Sequence, residues 1–154
     1  LREAAGDNIG TVFKLSKEPL CIVVGKLQLE QVVTILTHNA IYSMPDGGTL
    51  SISTEICNVD TQLSNTFANI VEPGTYCILS VADSGVGMED STIRHLFEPL
   101  FSTTNKVGSG LGLSIVYGII DMLKGGLQVI SEPGKGSTFK VYLPISDLEK
   151  SEST

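Results

Sequence analysis

The chain has 154 residues, of which 42% are hydrophobic and 18% charged, a composition typical of one globular domain with a hydrophobic core. Its net charge of −7 argues against a general nucleic-acid or anionic-membrane surface but leaves room for phosphate binding by backbone amides. No apolar run approaches the roughly 20 residues of a membrane helix, and the N-terminus lacks signal-peptide features. The cysteines Cys21, Cys57 and Cys77 show no paired short spacing, which indicates buried, reduced thiols in a cytoplasmic protein.

Strand-like and helix-like patterns follow one another without the strict alternation of a parallel sheet. In chain order they predict a strand at 8–15, a helix at 26–44, a strand at 49–56, a long loop at 58–75, a strand at 76–83, a short helix at 89–98, an irregular segment at 99–110, a helix at 111–124 and a closing hairpin of strands 127–132 and 137–144. This order favours an α+β domain with helices on one face of a mixed sheet. We expect a single domain over residues 1–154, with flexible ends at 1–6 and 145–154.

The segment VADSGVGM (81–88) places an acid at the end of an apolar run and follows it with Gly85 and Gly87. One interpretation is a loop with a turn-forming Asp83 and two permissive glycines. The other is a pocket in which the glycines let a flat group approach the backbone. Because an unpaired buried carboxylate is costly, Asp83 would then need a donor, such as the exocyclic amine of adenine.

A second cluster, KVGSGLGLSIVYG (106–118), carries Gly108, Gly110 and Gly112 ahead of an apolar helix with no acid in its first turn. Free N–H groups and the partial positive charge at such a helix start favour phosphate. The spacing matches neither the Rossmann fingerprint nor the Walker loop. A glycine hinge is the alternative interpretation.

A third candidate is Asn39, at the edge of the apolar stripe of the helix predicted at 26–44. The oxygen of an amide side chain can coordinate a hard cation such as Mg²⁺. A lone asparagine on a helix more often faces solvent, so Asn39 alone does not decide between a metal ligand and a surface residue.

Taken in order, these stretches resemble the ATP-binding (catalytic) domain of sensor histidine kinases, within the GHKL superfamily of DNA gyrase B, Hsp90 and MutL. The resemblance covers about 7–144 and rests on four segments: 29–48 is similar to the N box, 81–88 to the G1 box, 93–104 to the F box and 108–120 to the G2 box. It implies the Bergerat ATP-binding fold, a two-layer α/β sandwich with a mixed sheet covered on one face by helices.

The resemblance also implies roles for individual residues. Asp83 would receive the adenine amino group, with Gly85 and Gly87 making room for the ring, and Asn39 would ligate the Mg²⁺ that bridges the phosphates. Ser137 would place a hydroxyl near the adenine. Lys106 would reach the γ-phosphate, although a solvated lysine explains it equally well. The remaining nucleotide-binding positions are Gly108, Gly110, Leu111 and Gly112, beside a lid at about 98–109.

The chain departs from the family pattern at two positions. Ile35 stands where the N box commonly carries an asparagine or an acid, and Tyr42 stands where the family usually has a charged residue. In hydrolysing relatives an acid at the first position activates water, so Ile35 argues against hydrolysis. His38 and His95 lack the following acid of a phosphoacceptor histidine, and neither is expected to accept phosphate.

We therefore expect the ATP-binding catalytic domain of a two-component sensor histidine kinase. Its partners would be a dimerisation/phosphoacceptor domain absent from this chain and a downstream response regulator, with no nucleic-acid or membrane contact by this domain. No catalytic residue is assigned. Two alternatives remain open: a degenerate nucleotide-binding scaffold without transfer activity, and a serine-directed kinase or hydrolysing ATPase. The expected location is the cytoplasm, with a parent protein that could be membrane-anchored.

Overall fold

The computed structural model describes residues 8–17, 22, 24–64, 69, 71–98 and 112–145. Within these ranges the chain forms five strands and four helices. In chain order they are β1 (Ile9–Lys14), α1 (Lys26–Tyr42), β2 (Gly48–Val59), α2 (Thr61–Ser64), β3 (Gly74–Asp83), α3 (Asp90–Arg94), α4 (Gly112–Met122), β4 (Gly126–Glu132) and β5 (Gly136–Pro144).

The five strands form one mixed sheet in the order β1-β2-β3-β5-β4. β1 pairs parallel with β2, while the other neighbouring pairs are antiparallel. The C-terminal end of β3 therefore lies beside the start of β2, the start of β5 and the end of β4. This end of the sheet, called the Asp83 end below, is where the polar residues of interest come together.

Alternation along the strands places one face of the sheet against α1 and α4. Ile52, Val81, Phe139 and Val129 lie in register across four strands on this face. They pack with buried residues of the two helices, among them Leu36, Ala40, Val116 and Ile120, into the main hydrophobic core. The α+β class and the two-layer arrangement predicted from the sequence are confirmed.

A second, smaller cluster lies on the other face of the sheet, at the end opposite Asp83. Tyr76 and Tyr142 meet edge to face with ring centroids 6.5 Å apart, and Val59, Val71 and Ile78 pack around them. The connection between β2 and β3 reaches β4 through the buried Asn69. Its amide donates to the Gly125 carbonyl (2.8 Å), and its side-chain oxygen accepts from the Leu127 amide (3.1 Å). We call this the Tyr142 end.

Several predicted boundaries and one predicted loop need correction. β2 extends to Val59 and β3 begins at Gly74, so the loop predicted at 58–75 is shorter, and it contains the one-turn helix α2. The reason is that Cys57 and Val59 continue the strand but direct their side chains to the second face, where they pack with the tyrosines. Cys57 is also half-buried rather than buried, although it and Cys77 are free thiols as expected.

The ends of the described ranges add two observations. Ile145, which the sequence placed in a flexible tail, pairs with Ile22 in an isolated bridge. The other residues of the expected flexible ends, 1–6 and 146–154, lie outside the described ranges. Among the helices of the described residues, none combines the length and the apolar character that crossing a membrane requires.

Candidate nucleotide site

The register of the sheet places Asp83 on the face that carries the helices. It pairs with Leu50 on one side and with Ser137 on the other, and Ser131 of β4 follows in the same row. These positions lie two residues beyond the row of Ile52, Val81 and Phe139, so their side chains point to the same face. Core packing therefore ends in a polar row at this edge. Asp83 itself is 7% exposed.

Backbone amides from two elements hold one oxygen of the Asp83 carboxylate. Its Oδ1 accepts from the Gly85 amide at 2.9 Å and from the Ser137 amide at 3.3 Å. The Ser43 hydroxyl donates instead to the Ala40 carbonyl of its own helix, at 2.8 Å. Neither backbone amide uses Oδ2, so this oxygen keeps acceptor capacity for a further donor.

Burial raises the pKa of the Asp83 carboxyl above its usual value, and the hydrogen bonds from the Gly85 and Ser137 amides oppose that rise. The carboxylate thus has the donor partners that the sequence predicted for it. The protein's own backbone supplies both of them.

Gly85 and Gly87 are required by contacts within the protein. A β-carbon on Gly85 would lie 2.1 Å from the Ser43 carbonyl oxygen, and one on Gly87 would lie 2.0 Å from the Glu132 carbonyl oxygen. Gly87 also has a φ of +70°, which side-chain-bearing residues rarely adopt. The two glycines let the segment after β3 pack between the end of α1 and the end of β4.

A line of residues along α1 joins Asp83 to the start of α4. Ile35, Asn39 and Ser43 follow at intervals of four, so they share a face of the helix over about 12 Å. A β-carbon on Gly112, the first residue of α4, would lie 3.2 Å from Ile35 Cγ2. At the other end of this row, the Ser43 carbonyl accepts from the Val86 amide at 2.9 Å and lies against Gly85, whose own amide bonds Asp83. Asn39 therefore lies between the start of α4 and the carboxylate.

Asn39 itself is half-buried. Within the described ranges its side chain makes no hydrogen bond, although its backbone carbonyl accepts from the Ser43 amide at 3.2 Å. In the same part of the chain, no group of three or more His, Cys, Asp or Glu side chains forms a metal site. The side-chain amide of Asn39 is thus free to ligate a cation that takes its other ligands from elsewhere.

Ser137 is buried and belongs to a chain of hydroxyl contacts. Its Oγ lies 2.8 Å from Ser131 Oγ, which accepts from the Met88 amide at 2.8 Å and contacts the Gly136 carbonyl at 3.1 Å. Met88 closes the glycine-bearing segment after Asp83. These bonds tie that segment to the β4–β5 hairpin.

The remaining predicted positions fall outside the described residues or away from this site. Lys106, Gly108, Gly110 and Leu111 lie in 99–111, as does most of the expected lid. His38 is exposed on α1, and the exposed His95 contacts Glu98 at 2.9 Å. Sequence reasoning missed Ser43 and Ser131, although a serine closing α1 and a serine before the PGKG turn were visible as possible hydrogen-bonding groups.

The class of this domain follows from its sequence family. A family profile described as "Histidine kinase-, DNA gyrase B-, and HSP90-like ATPase" matches residues 25–147. The chain belongs to this family. Its nucleotide-binding character and its mixed sheet with helices are therefore those of a GHKL ATP-binding domain.

Curated relatives narrow the class further. The chain is 40% identical over 119 residues to the sensor kinase CckA of Brucella abortus, covering 76% of this chain and 12% of that protein. It is 36% identical over 118 residues to sporulation kinase E of Bacillus subtilis, covering 77% and 14%. It is 34% identical over 123 residues to the sensor histidine kinase ZraS of Escherichia coli, covering 80% and 23%. The chain thus spans a quarter or less of each of these proteins.

Solved structures agree with this assignment. The catalytic domain of the histidine kinase ThkA matches with a TM-score of 0.69 at 27% identity, covering 89% of this chain and 79% of that one. The Acinetobacter baumannii histidine kinase AdeS matches with a TM-score of 0.63 at 27% identity, covering 90% and 55%. The domain is of the sensor-histidine-kinase type, and these similarities do not favour the degenerate scaffold.

Proposed function

We propose that this domain binds ATP with Mg²⁺ and presents the γ-phosphate to a histidine on a separate dimerisation/phosphoacceptor domain. The observation that carries the proposal is the line along α1. It runs from the start of α4, past Asn39, to Ser43, which contacts the Gly85 segment that bonds the buried carboxylate of Asp83. A nucleotide lying along this line would meet a phosphate-binding group, a metal ligand and a base-binding group in that order.

The adenine would bind at Asp83. Its exocyclic amine is a donor, and the carboxylate offers Oδ2 as an acceptor while the Gly85 and Ser137 amides fix Oδ1. In a site where Asp83 is 7% exposed, such a bond meets little competition from water. Ser137, beside Asp83 in the sheet, would contact the same edge of the base.

Mg²⁺ would be held by the side-chain oxygen of Asn39. Mg²⁺ often uses one or two protein ligands and completes its octahedron with water and substrate phosphates, which suits a site that lacks a carboxylate cluster. When bound, the ion neutralises charge that accumulates on the phosphate oxygens.

The phosphates would lie at the start of α4. Its first turn contains no acidic residue and begins with Gly112, so free amides and the positive end of the helix dipole favour an anion. We extend the same role to Gly108, Gly110 and Leu111, and we propose that Lys106 reaches the γ-phosphate. Positioning and charge neutralisation account for most catalysis of phosphoryl transfer, so the domain needs no nucleophile of its own.

The partners follow from the reaction. The phosphorylated histidine would belong to a dimeric helical domain of the same protein, and a response-regulator receiver domain would take the phosphoryl group from it. We place this domain in the cytoplasm, where ATP is available.

Calorimetry with Mg²⁺-ADP and Mg²⁺-ATP tests the nucleotide site. We expect Asp83→Asn to weaken binding about 10- to 100-fold, because one charged hydrogen bond to the base is lost. The exposed Asp121 on α4 provides a matched control, and Asp121→Asn should bind as the wild type does. Equal binding by wild type and Asp83→Asn would remove the adenine assignment.

A second experiment tests phosphoryl transfer in the full-length protein that contains this domain. Incubation with radiolabelled ATP should label a histidine outside this chain, and Asp83→Asn should abolish the label at low ATP concentration. Labelling with Ile35 in place would exclude the scaffold alternative. Nucleotide binding without any labelled histidine would instead support it.

A further inference from the structure

Ser131 lies one strand away from the proposed base-binding pair, Asp83 and Ser137. It belongs to the edge strand β4 and pairs with Ser137 across the β4–β5 hairpin. Its hydroxyl oxygen has three neighbours within hydrogen-bond distance: the Met88 amide, the Gly136 carbonyl and the Ser137 hydroxyl. The direction of these bonds determines what Ser137 offers to a ligand.

A count of protons selects one direction. A serine hydroxyl has one proton to donate and two lone pairs to accept with. The Met88 amide donates to Ser131 Oγ at 2.8 Å, which uses one lone pair. The Gly136 carbonyl can only accept, so the contact at 3.1 Å uses the proton of Ser131. The contact of 2.8 Å to Ser137 must then be donated by Ser137.

In this arrangement all three contacts of Ser131 are satisfied together. The opposite direction, with Ser131 donating to Ser137, takes the Ser131 proton away from the Gly136 carbonyl. It therefore makes one hydrogen bond fewer among the same atoms, which disfavours this direction. Ser137 consequently donates its proton to Ser131 and can only accept a hydrogen bond from a ligand.

We propose that Ser131 is a positioning residue that holds the Ser137 hydroxyl as a hydrogen-bond acceptor and thereby sets the preference for adenine over guanine. The inference rests on the proposed function, since it concerns the base of the same nucleotide. With Ser137 so oriented, its Oγ and Asp83 Oδ2 both present acceptors. The 6-amino group of adenine can donate hydrogen bonds to these two acceptors. The 6-oxo group of guanine is itself an acceptor, so it would find no donor there and would be repelled.

Loss of the Ser131 hydroxyl frees the proton of Ser137. In Ser131→Ala the Ser137 hydroxyl can turn and donate toward the base, so an oxo group becomes tolerated. We expect the ratio of ADP to GDP affinity, measured by calorimetry with Mg²⁺, to fall about five- to tenfold. Ser137→Ala should lower the ratio similarly, and the double variant should fall no further because both changes act through one hydroxyl.

Controls separate this effect from general destabilisation. Ser131→Thr keeps a hydroxyl and should keep the wild-type ratio, and Ser53→Ala, on the other face of β2, should leave it unchanged. If Ser131→Ala does not fold, Ser131→Cys carries the same test because a thiol sulfur is a weak acceptor for the Ser137 proton. An unchanged ratio in Ser131→Ala, with or without a parallel loss of both affinities, would overturn the inference while the proposed function stands. Failure of the wild type to bind ADP would instead overturn the proposed function.

Discussion

The Asp83 end and the Tyr142 end of the sheet both bury polar groups, but they do so in different ways. At the Tyr142 end the side chain of Asn69 uses its donor and its acceptor on two backbone groups of the chain. At the Asp83 end, Oδ1 of the carboxylate accepts hydrogen bonds from two backbone amides, and neither of these amides uses Oδ2. Fully satisfied polar groups thus mark a structural contact, whereas an unused acceptor on a buried carboxylate marks a place for a ligand.

The largest effect is expected where the chain approaches itself most closely at the Asp83 end. Gly85→Ala places a β-carbon 2.1 Å from the Ser43 carbonyl oxygen, so the backbone must move. We expect the free energy of unfolding, measured with urea, to fall by about 3 kcal/mol or more, with loss of nucleotide affinity. Gly118→Ala is the matched control, because its β-carbon meets nothing within 4 Å in a helix; it should stabilise by about 0.5–1 kcal/mol. Equal stability of Gly85→Ala and wild type would contradict the proposed close packing.

The next largest effect on stability is expected at the Tyr142 end. Asn69→Ala leaves the Gly125 carbonyl and the Leu127 amide without their partner, which should lower the free energy of unfolding by about 2–3 kcal/mol. Nucleotide affinity measured below the unfolding transition should not change. Asn58, whose side chain accepts from Thr75 at an exposed position, serves as control, and Asn58→Ala should cost less than about 1 kcal/mol. A loss of affinity in Asn69→Ala would show that the two ends are coupled.

A smaller effect is expected from a single hydroxyl at the Tyr142 end. Tyr142→Phe removes the bond of 2.9 Å to Gln128 but keeps the ring packed against Tyr76, so a loss of about 1 kcal/mol is expected. Tyr42, 60% exposed at the end of α1, gives a control in Tyr42→Phe, which should change stability by less than about 0.5 kcal/mol. Thermal denaturation distinguishes the two. Equal melting temperatures would mean that the Gln128 bond contributes nothing.

The smallest effect concerns pH. Burial raises the pKa of Asp83 in the folded state, so the folded state binds more protons than the unfolded state between the two pKa values. The contribution of Asp83 to stability therefore falls as pH rises through that interval and is constant above it. Asp83→Asn removes this titration, so the free energy of unfolding of the variant relative to wild type should rise as pH increases above the ordinary carboxyl pKa of about 4. A flat difference in urea denaturation over this range would contradict the direction of the pKa shift.

Much of the fold could be predicted from periodicity alone. The helical spacing of Val32, Leu36 and Ala40 and the alternation of Leu50 and Ile52 correspond to the observed core, because both patterns reflect burial on one face. The boundaries of β2 and β3 were less accurate. Cys57 and Val59 pack on the opposite face, and this change of face interrupts the pattern that defines a half-buried strand.

The candidate site was accessible from sequence only in part. The need of Asp83 for donor partners was predictable because an acid at the end of an apolar strand is buried there. The position of Asn39 at the edge of the core was predictable because it depends only on local helical spacing. Their roles in binding remain proposals. The bonds of Asn69 to residues 56 and 58 positions away, and the contact of Gly85 with Ser43, depend on how distant segments pack. Sequence alone therefore could not distinguish the loop interpretation of Gly85 and Gly87 from the pocket interpretation.

The two amides that hold Asp83 Oδ1 have one more consequence. The rotamer of this side chain is fixed before any base arrives, so its ordering entropy is lost during folding instead of during binding. Such preorganisation raises affinity by lowering the ordering cost of binding, and no rearrangement of Asp83 slows association. A kinase that must replace ADP by ATP after each turnover benefits from a base site that does not have to be rebuilt.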